Sequence, residues 1–501
     1  MDPDRTSRIA GIVAVALSLG LTELFAGLAA SVPSAIAAVG AVVVSVAPGW
    51  LVRFAIALFG TADKAVLGLG IVLVALGIGA AVGARARRHP RLADAAFFGF
   101  ALVGIAAQLL RPEAAVVPVV VSTAAAAGLG RWVLSRLPST VAEGPDVVDV
   151  DRRRFLGIAG GVAAGALAAA IFGRTALVAR SRRAATDVVL PEPIVRAVEV
   201  GPRHRFDLEG LTPIVVDPPD FYRIDTALVV PAVDVESWTL RVLGMVERPL
   251  ELSYADLLAM PQVERHVTIA CVSNEVGGDL VGNAKWQGVR LAEVLEMAGV
   301  APEATQVVGR SVDGWTAGFP TEVVFDGRDP LIVVGMNGRP LPRRHGHPAR
   351  LIVPGLYGYV SATKWLAEIE LTTWEGFDAY WIPRGWAKEG PIKTQSRIDR
   401  PAAGERVPGA VVAAGVAWAP TRGIARVEVQ LDEGPWREAE LTEPLSADAW
   451  VQWRLPLEVT PGRHRLRVRA TDGDGVTQPE ERTPPDPDGA TGWHTIEFTA
   501  G

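Results

Sequence analysis

HVTIACVSNEVGGDLVGNAKWQG, residues 266–288, carries Cys271, the only cysteine among 501 residues. Val267 and Ile269 alternate into it as one face of a strand. Glycines follow, which places the thiol where a strand gives way to a loop, a position that commonly carries function. One thiol excludes an intrachain disulfide, a four-cysteine iron–sulfur cluster, a CxxCH haem attachment and a CxxC redox pair. Three readings remain for Cys271: an inert buried thiol, a nucleophile, or a single metal ligand.

Outward from this stretch the texture is mixed α and β. Upstream, residues 238–244 (WTLRVLG) alternate like a strand, and Ser253 caps a short helix carrying Leu257 and Leu258. Downstream, Leu291, Val294, Leu295 and Ala298 fall at helical spacing, so residues 290–299 read as an amphipathic helix. Short apolar strands are expected at 331–336, 350–354 and 364–371. Beyond Gln395 only strands are indicated. IARVEVQL (424–431) and RHRLRVRA (463–470) alternate with period two, and DEGP (432–435) reads as a turn between such runs. About a hundred residues of this kind suggest an immunoglobulin-like sandwich. TDGDG (471–475) lacks the full spacing of a calcium loop and reads as a turn.

The other half of the chain is apolar. With 49% hydrophobic residues and a net charge of -6, the composition is too apolar for an ordinary soluble protein, and the excess lies near the N-terminus. Five runs, about 9–30, 65–83, 93–110, 113–134 and 155–172, approach the ~20 residues needed to cross hydrocarbon. Residues 34–60 are interrupted by Pro48, Gly49 and Arg53, and read as interfacial or re-entrant. Arginines cluster at Arg5 and Arg8, at Arg85, Arg87, Arg88 and Arg91, and between Arg131 and Arg154. Four spans with both ends inside put every cluster on the cytoplasmic face. The fifth then carries everything after Gly173 outside, leaving the N-terminus cytoplasmic. Its start, DRRRFLG (151–157), followed by a weakly apolar helix, resembles an internal twin-arginine export signal. That route exports folded proteins, which fits a cofactor inserted in the cytoplasm. None of the seven histidines lies in a span, which rules out a bis-histidine haem there. Glu23, inside the first span, suggests a polar pathway or an interhelical contact.

Five motifs surround the cysteine in order: FYR (221–223), Cys271 ahead of Asn274, GNAKWQGVRLAEVL (282–295), MNGRPLPRRHGHPARLIVPG (336–355) and TKWL (363–366). Together they resemble the sulfite oxidase family of molybdenum enzymes over roughly residues 215–395, and the strands that follow resemble that family's C-terminal dimerisation domain. The organisation expected is a transmembrane helical bundle over 1–178, a linker over 179–215, an α+β molybdopterin domain over 216–395 and an all-β immunoglobulin-like domain over 396–501.

The resemblance implies a molybdenum–molybdopterin cofactor. Cys271 would be the metal's single protein ligand, a soft thiolate suited to that metal. His345, Arg350 and Lys364, with Tyr222 and Asn274, would contact the pterin and its phosphate. Arg223 would face an oxyanionic substrate or the metal's oxo group, and Tyr380, in DAYWIPRGW, would match the family tyrosine. His345 and His347 could mimic a zinc pair but lack a third ligand of matching spacing. Typical sulfite oxidases follow the cysteine with paired arginines, whereas this chain has Asn274-Glu275-Val276, and it has Asp225 near the place of a family histidine. Glutamate there should repel a dianion.

The reading is thus a membrane-anchored, extracytoplasmic oxidoreductase that transfers an oxygen atom to or from a small molecule. A separate cytochrome or membrane carrier would exchange the electrons, a homodimer would form through the sandwich, and no nucleic-acid partner is expected. Alternatives are a sulfoxide or methionine sulfoxide reductase of the same class, and a non-enzymatic membrane receptor or scaffold built on a degenerate fold.

Overall fold

A computed structural model of the protein describes residues 3–48, 51, 54–55, 58–59, 62–111, 114–137, 148–184, 188–227, 229–231 and 233–501. The interruptions expected at Gly49 and Arg53, and the first residue of the run from 113, lie outside the described residues. Two compact units emerge, Met1–Arg183 with Thr226–Ala232, and Ala184–Asp225 with Val233–Gly501.

The first unit is helical. Its elements are α1 (Pro3–Leu28), α2 (Ala35–Val46), α3 (Asp63–Ala86), α4 (Pro90–Leu109), α5 (Val116–Arg136) and α6 (Val148–Ala184). All but α2 are long and apolar enough to cross a bilayer. At 12 residues, α2 spans only ~18 Å, short of the hydrocarbon thickness. Small residues let the helices close on one another: Gly11 of α1 lies against Gly79 and Gly83 of α3. Phe98, Leu102, Val117, Val121, Leu167 and Ile171 are each more than half exposed, so the bundle turns large apolar side chains outward. Glu23 is explained by packing. Its Oε1 accepts from the Ser34 hydroxyl at 2.8 Å and from the Ile36 N–H at 3.3 Å, which closes the N-terminus of α2 from the neighbouring helix.

The second unit begins with mixed α and β structure. Its strands are β1 (Thr239–Gly244), β2 (Leu250–Ser253), β3 (Val263–Ala270), β4 (Val281–Arg290), β5 (Gln306–Ser311), β6 (Thr316–Pro320), β7 (Leu331–Met336), β8 (Arg339–Pro340), β9 (Arg350–Ile352) and β10 (Leu366–Thr372). They form two sheets, β2-β1-β10-β5-β6 and β3-β4-β7-β8, with β9 on β7. Helix α7 (Tyr254–Ala259) starts at Ser253, whose hydroxyl accepts from the Asp256 N–H at 3.1 Å while Asp256 reaches back to the Ser253 N–H, a reciprocal cap. Helix α8 (Leu291–Ala298) buries Leu291, Val294, Leu295 and Ala298 and ends at Gly299 in the left-handed conformation. A short turn of helix, α9 (Gly358–Ser361), completes this part.

The rest of the unit is all strand: β11 (Gln395–Arg400), β12 (Arg406–Val407), β13 (Ala410–Trp418), β14 (Ile424–Leu431), β15 (Arg437–Glu438), β16 (Glu440–Leu441), β17 (Val451–Glu458), β18 (Gly462–Asp472) and β19 (His494–Ala500). Two sheets, β11-β13-β17-β16 and β12-β19-β18-β14-β15, share one core containing Trp453, Val427, Leu466 and Phe498. Period-two alternation buries one face of each strand, as in β17 and β18. The Asp472 turn is held by Arg422 at 3.0 Å and the Thr394 hydroxyl at 2.9 Å.

Candidate functional site

Cys271 is the first residue past β3. The last pair of the β3–β4 ladder is Ala270 with Val281, and the Cys271 N–H continues it to the Leu280 carbonyl at 2.9 Å. The chain between is a closed loop. Asn274 N–H donates to the Cys271 carbonyl, Gly278 N–H to the Glu275 carbonyl, and the buried Asn274 side-chain oxygen accepts from the Leu280 N–H at 2.8 Å. Asn274 therefore shapes the loop whatever else it contacts.

The thiol of Cys271 is partly buried, and that burial pushes its pKa up, against hydrogen bonds from the backbone and hydroxyl of Ser273 and the charge of Lys364. A free catalytic nucleophile needs the opposite shift. A thiol held neutral until a cation arrives suits a metal ligand.

Around it the FYR, HGHPAR and TKW segments converge. Phe221 stacks on Tyr222 with centroids 5.3 Å apart and meets the edges of Trp286 and His345, each at 5.7 Å. Burial drives the Tyr222 hydroxyl well above its ordinary range, Cys271 pushing the same way and Arg350 opposing. His345 is buried and its Nε2 donates to the Pro218 carbonyl at 2.7 Å. Burial, reinforced by Arg350, Lys364 and Arg223, lowers its pKa to about 4, so the ring is neutral. Gly346 has φ +113°, and a Cβ there would stand 3.1 Å from both the Arg350 Cβ and the Lys364 Cα, so only glycine fits. That close approach brings the two cationic segments together.

Arg350 is 4% exposed. Its Nη1 donates to the His345 carbonyl at 3.1 Å, its guanidinium lies 5.2 Å from the Trp286 ring centroid, and its Nε has no hydrogen-bond partner among the described residues. Lys364 reaches Asp225 and the Ile224 carbonyl, each at 3.0 Å, and Arg223 lies 3.4 Å from the same Asp225. Two cations, Lys364 and Arg223, thus share one carboxylate, and a third, Arg350, is buried with a donor unspent. This surplus fits an anionic group such as a pterin phosphate. Among the described residues no group of three or more His, Cys, Asp or Glu gathers to hold a metal, so a metal at Cys271 would take its other donors from outside the chain.

His347, considered above only as half of a zinc pair, and the expected Tyr380 make their contacts elsewhere. His347 is buried against Tyr254 at 5.9 Å rather than beside the His345 ring. Tyr380 lies under Arg384, whose guanidinium is 3.8 Å from its ring centroid, and its N–H donates to Thr316; its described contacts do not reach Cys271. Tyr357, not singled out in the sequence, is buried and close enough for Cys271 to contribute to the rise of its hydroxyl pKa to about 12, behind burial as the main cause. Its position two residues past the fourth motif, after Gly355 and Leu356, was the available signal. Asp225 was visible only as a departure, yet it ties Arg223 to Lys364. Glu275 is exposed and 3.8 Å from Arg482, whereas Val276 is buried at 6% exposure.

A family model described as "Oxidoreductase molybdopterin binding domain" matches residues 227–381, and one described as "Mo-co oxidoreductase dimerisation domain" matches 391–485. Mitochondrial sulfite oxidase of Rattus norvegicus is 30% identical over 326 residues, covering 55% of this chain and 59% of that protein. An uncharacterised oxidoreductase of Bacillus subtilis, YuiH, is 37% identical over 157 residues, covering 31% of this chain and 76% of that protein. Among solved structures, the sulfane dehydrogenase SoxCD of Paracoccus pantotrophus is similar at 26% identity and a TM-score of 0.49, covering 59% of this chain and 82% of that one. The chain spans about three fifths of the length of the mammalian sulfite oxidases it matches.

Proposed function

Because the chain belongs to the sulfite oxidase family of molybdopterin-dependent oxidoreductases and carries that family's molybdenum cofactor, we propose that it is a membrane-anchored, extracytoplasmic oxygen-atom transferase acting on a small molecule. The observation that carries this reading is the convergence on the lone thiol of Lys364 and Arg223, paired to one carboxylate, and of the buried Arg350 with a donor to spare. When bound, the cofactor supplies two-electron oxygen-atom transfer. Cys271 would ligate its metal. Arg350 and Lys364 would neutralise the phosphate, and the neutral His345 would offer its Nδ1 side while Nε2 stays on Pro218. Tyr222 and the loop shaped by Asn274 would border the pterin. Arg223, half exposed beside Asp225, would orient substrate oxygen, and the buried hydroxyl of Tyr357, on whose titration Cys271 acts, would take the tyrosine's part. An enzyme of this class leaves no need for the scaffold alternative.

The five helices, their outward apolar side chains and the arginine distribution support a multi-pass anchor with a cytoplasmic N-terminus. DRRRFLG at the start of α6 would direct twin-arginine export of the loaded domain. We read the C-terminal pair of sheets as an immunoglobulin-like sandwich that supports a homodimer, and assign the electrons to a separate cytochrome or membrane carrier.

A sulfoxide or methionine sulfoxide reductase is the second reading, favoured by one observation: Glu275 and the buried Val276 occupy the ground where sulfite oxidases place arginines. Metal analysis tests the first level, with about one molybdenum per chain expected, lost in Cys271→Ser. Wild type free of molybdenum from a molybdopterin-competent host overturns it. Sulfite-dependent reduction of an artificial acceptor, set against sulfoxide-dependent oxidation of a reduced dye, decides the direction.

A further inference from the structure

The loop that carries Cys271 is gripped from the C-terminal strands. Arg397, on β11, is 9% exposed and spends its guanidinium on three contacts: Nη1 to the Gly278 carbonyl at 2.9 Å, Nη2 to the Thr212 hydroxyl at 2.7 Å and Nε to Asp399 at 2.7 Å. Asp399 in turn accepts from the Thr212 N–H at 3.1 Å, so the arginine is fixed before it reaches the loop. His494, the first residue of β19, accepts from the Ile398 N–H through Nδ1 at 2.9 Å. Its ring then lies flush on Gly277, where a Cβ would come within 2.3 Å of Cδ2 and Nε2. Gly277 has φ +80°, so glycine is required twice over, by conformation and by the ring. Arg482 adds a looser, exposed contact to Glu275 at 3.8 Å. Positions 275, 277 and 278 of a loop that starts at Cys271 are thereby touched by three C-terminal side chains.

We propose that Arg397 and His494 are positioning residues that set the orientation of Cys271, so that the C-terminal domain is part of the metal site's scaffold as well as a dimerisation element. The physical reason is the loop's own economy. Its internal hydrogen bonds close its base at Cys271–Leu280 and Asn274–Leu280, but the Gly277–Gly278 tip has two residues without side chains and, within the loop, only the Gly278–Glu275 backbone bond to hold it, so it would loosen without the clamp. A ligand sulfur one turn away inherits that motion. Preorganisation of a metal ligand depends on such outer contacts. The inference rests on Cys271 being the metal ligand, and its test separates the two claims.

The experiment is hydrogen exchange by mass spectrometry on the full-length chain, with and without cofactor, in Arg397→Gln, Arg397→Lys, His494→Ala and Gly277→Ala. Losing a charge-assisted bond should open residues 272–280 about tenfold faster, with β3 (263–270) and the strands β13 and β18 exchanging as in wild type. Arg397→Lys, which keeps the charge but cannot span three acceptors, should fall between. In loaded protein the same variants should retain molybdenum yet shift its molybdenum(V) electron paramagnetic resonance spectrum. Wild-type exchange over 272–280 in both His494→Ala and Arg397→Gln, or acceleration spread evenly over β13 and β18, would overturn the clamp. If Arg397→Gln does not fold, His494→Ala and Arg397→Lys give the same reading. Absence of molybdenum from wild type would instead sink the family-level assignment of Cys271, and the exchange data would still decide the clamp.

Discussion

Replacing Arg350 by methionine separates a cation kept for folding from one kept for a ligand. Burial lowers the Arg350 pKa from 12.5 to about 10, so at neutral pH the folded chain still holds the charge at a cost of about 3 kcal/mol. Methionine removes that cost. It also leaves the His345 carbonyl unpaired, worth about 1–3 kcal/mol, and loses the contact with Trp286, worth about 1–2 kcal/mol. The two sides nearly cancel, and the cofactor-free Arg350→Met chain should unfold within about 1 kcal/mol of cofactor-free wild type, a change of only a few degrees in a unit of this size. With cofactor present the balance is different, because the guanidinium then meets an anion and the burial cost is recovered as binding. Molybdenum content in Arg350→Met should therefore drop at least tenfold, an effect of about 1.4 kcal/mol or more. The assay pairs thermal unfolding of protein made with and without molybdopterin synthesis with metal analysis of each preparation. A cofactor-free variant destabilised by more than about 3 kcal/mol with molybdenum unchanged would refute the reasoning and make Arg350 a folding residue.

Other outcomes follow from the same geometry. Burial holds His347 and His494 at about 4, below the ordinary 6.5, so between those values the unfolded chain binds protons that the folded chain refuses. Stability should be full above pH ~6.5 and fall as the pH drops toward ~4, by up to roughly 3 kcal/mol per histidine; chemical denaturation at stepped pH should show a shallower fall in His347→Gln, and an equal slope would contradict the assignment. Tyr357→Phe should lower kcat about tenfold or more while Tyr380→Phe leaves it within about twofold, in steady-state assays with molybdenum content matched. Arg223→Gln should raise KM for an oxyanionic substrate by about tenfold with molybdenum retained, and unchanged KM would detach Arg223 from the substrate. Glu275→Arg, an exposed change, should raise the ratio of sulfite to sulfoxide turnover, and no change in that ratio would show that the charge at residue 275 does not select between the two substrates.

Local patterns were legible wherever they depended on near neighbours in the chain. A short apolar run gave the bounds of β7 and alternation those of β14, and the spacing of Leu291, Val294, Leu295 and Ala298 gave α8 within a residue. The five apolar runs each hold a helix, and a helix stands also in the interrupted stretch at 35–46, where Ser34 and the borrowed Glu23 carboxylate supply its cap. The trio His345, Arg350 and Lys364 came from motif context, since an isolated cation in a loop reads as a solvated charge. What motif context could not reveal is the sharing of Asp225 between Arg223 and Lys364, which joins residues about 140 apart.

The lone cysteine limited the chemistry from sequence alone, because a count of one removes every cofactor that needs two thiols. The ordered motifs then carried the family resemblance, and apolar run length with arginine placement suggested the anchor, which depends only on composition and spacing. Tertiary structure decided how the charges balance and what holds the loop. Which carboxylate neutralises which cation, how Val276 is buried and how Arg397 and His494 grip the Cys271 loop depend on contacts across long stretches of chain. Electrostatics and packing act through space, and the distance between two side chains is set by the fold that the chain takes between them.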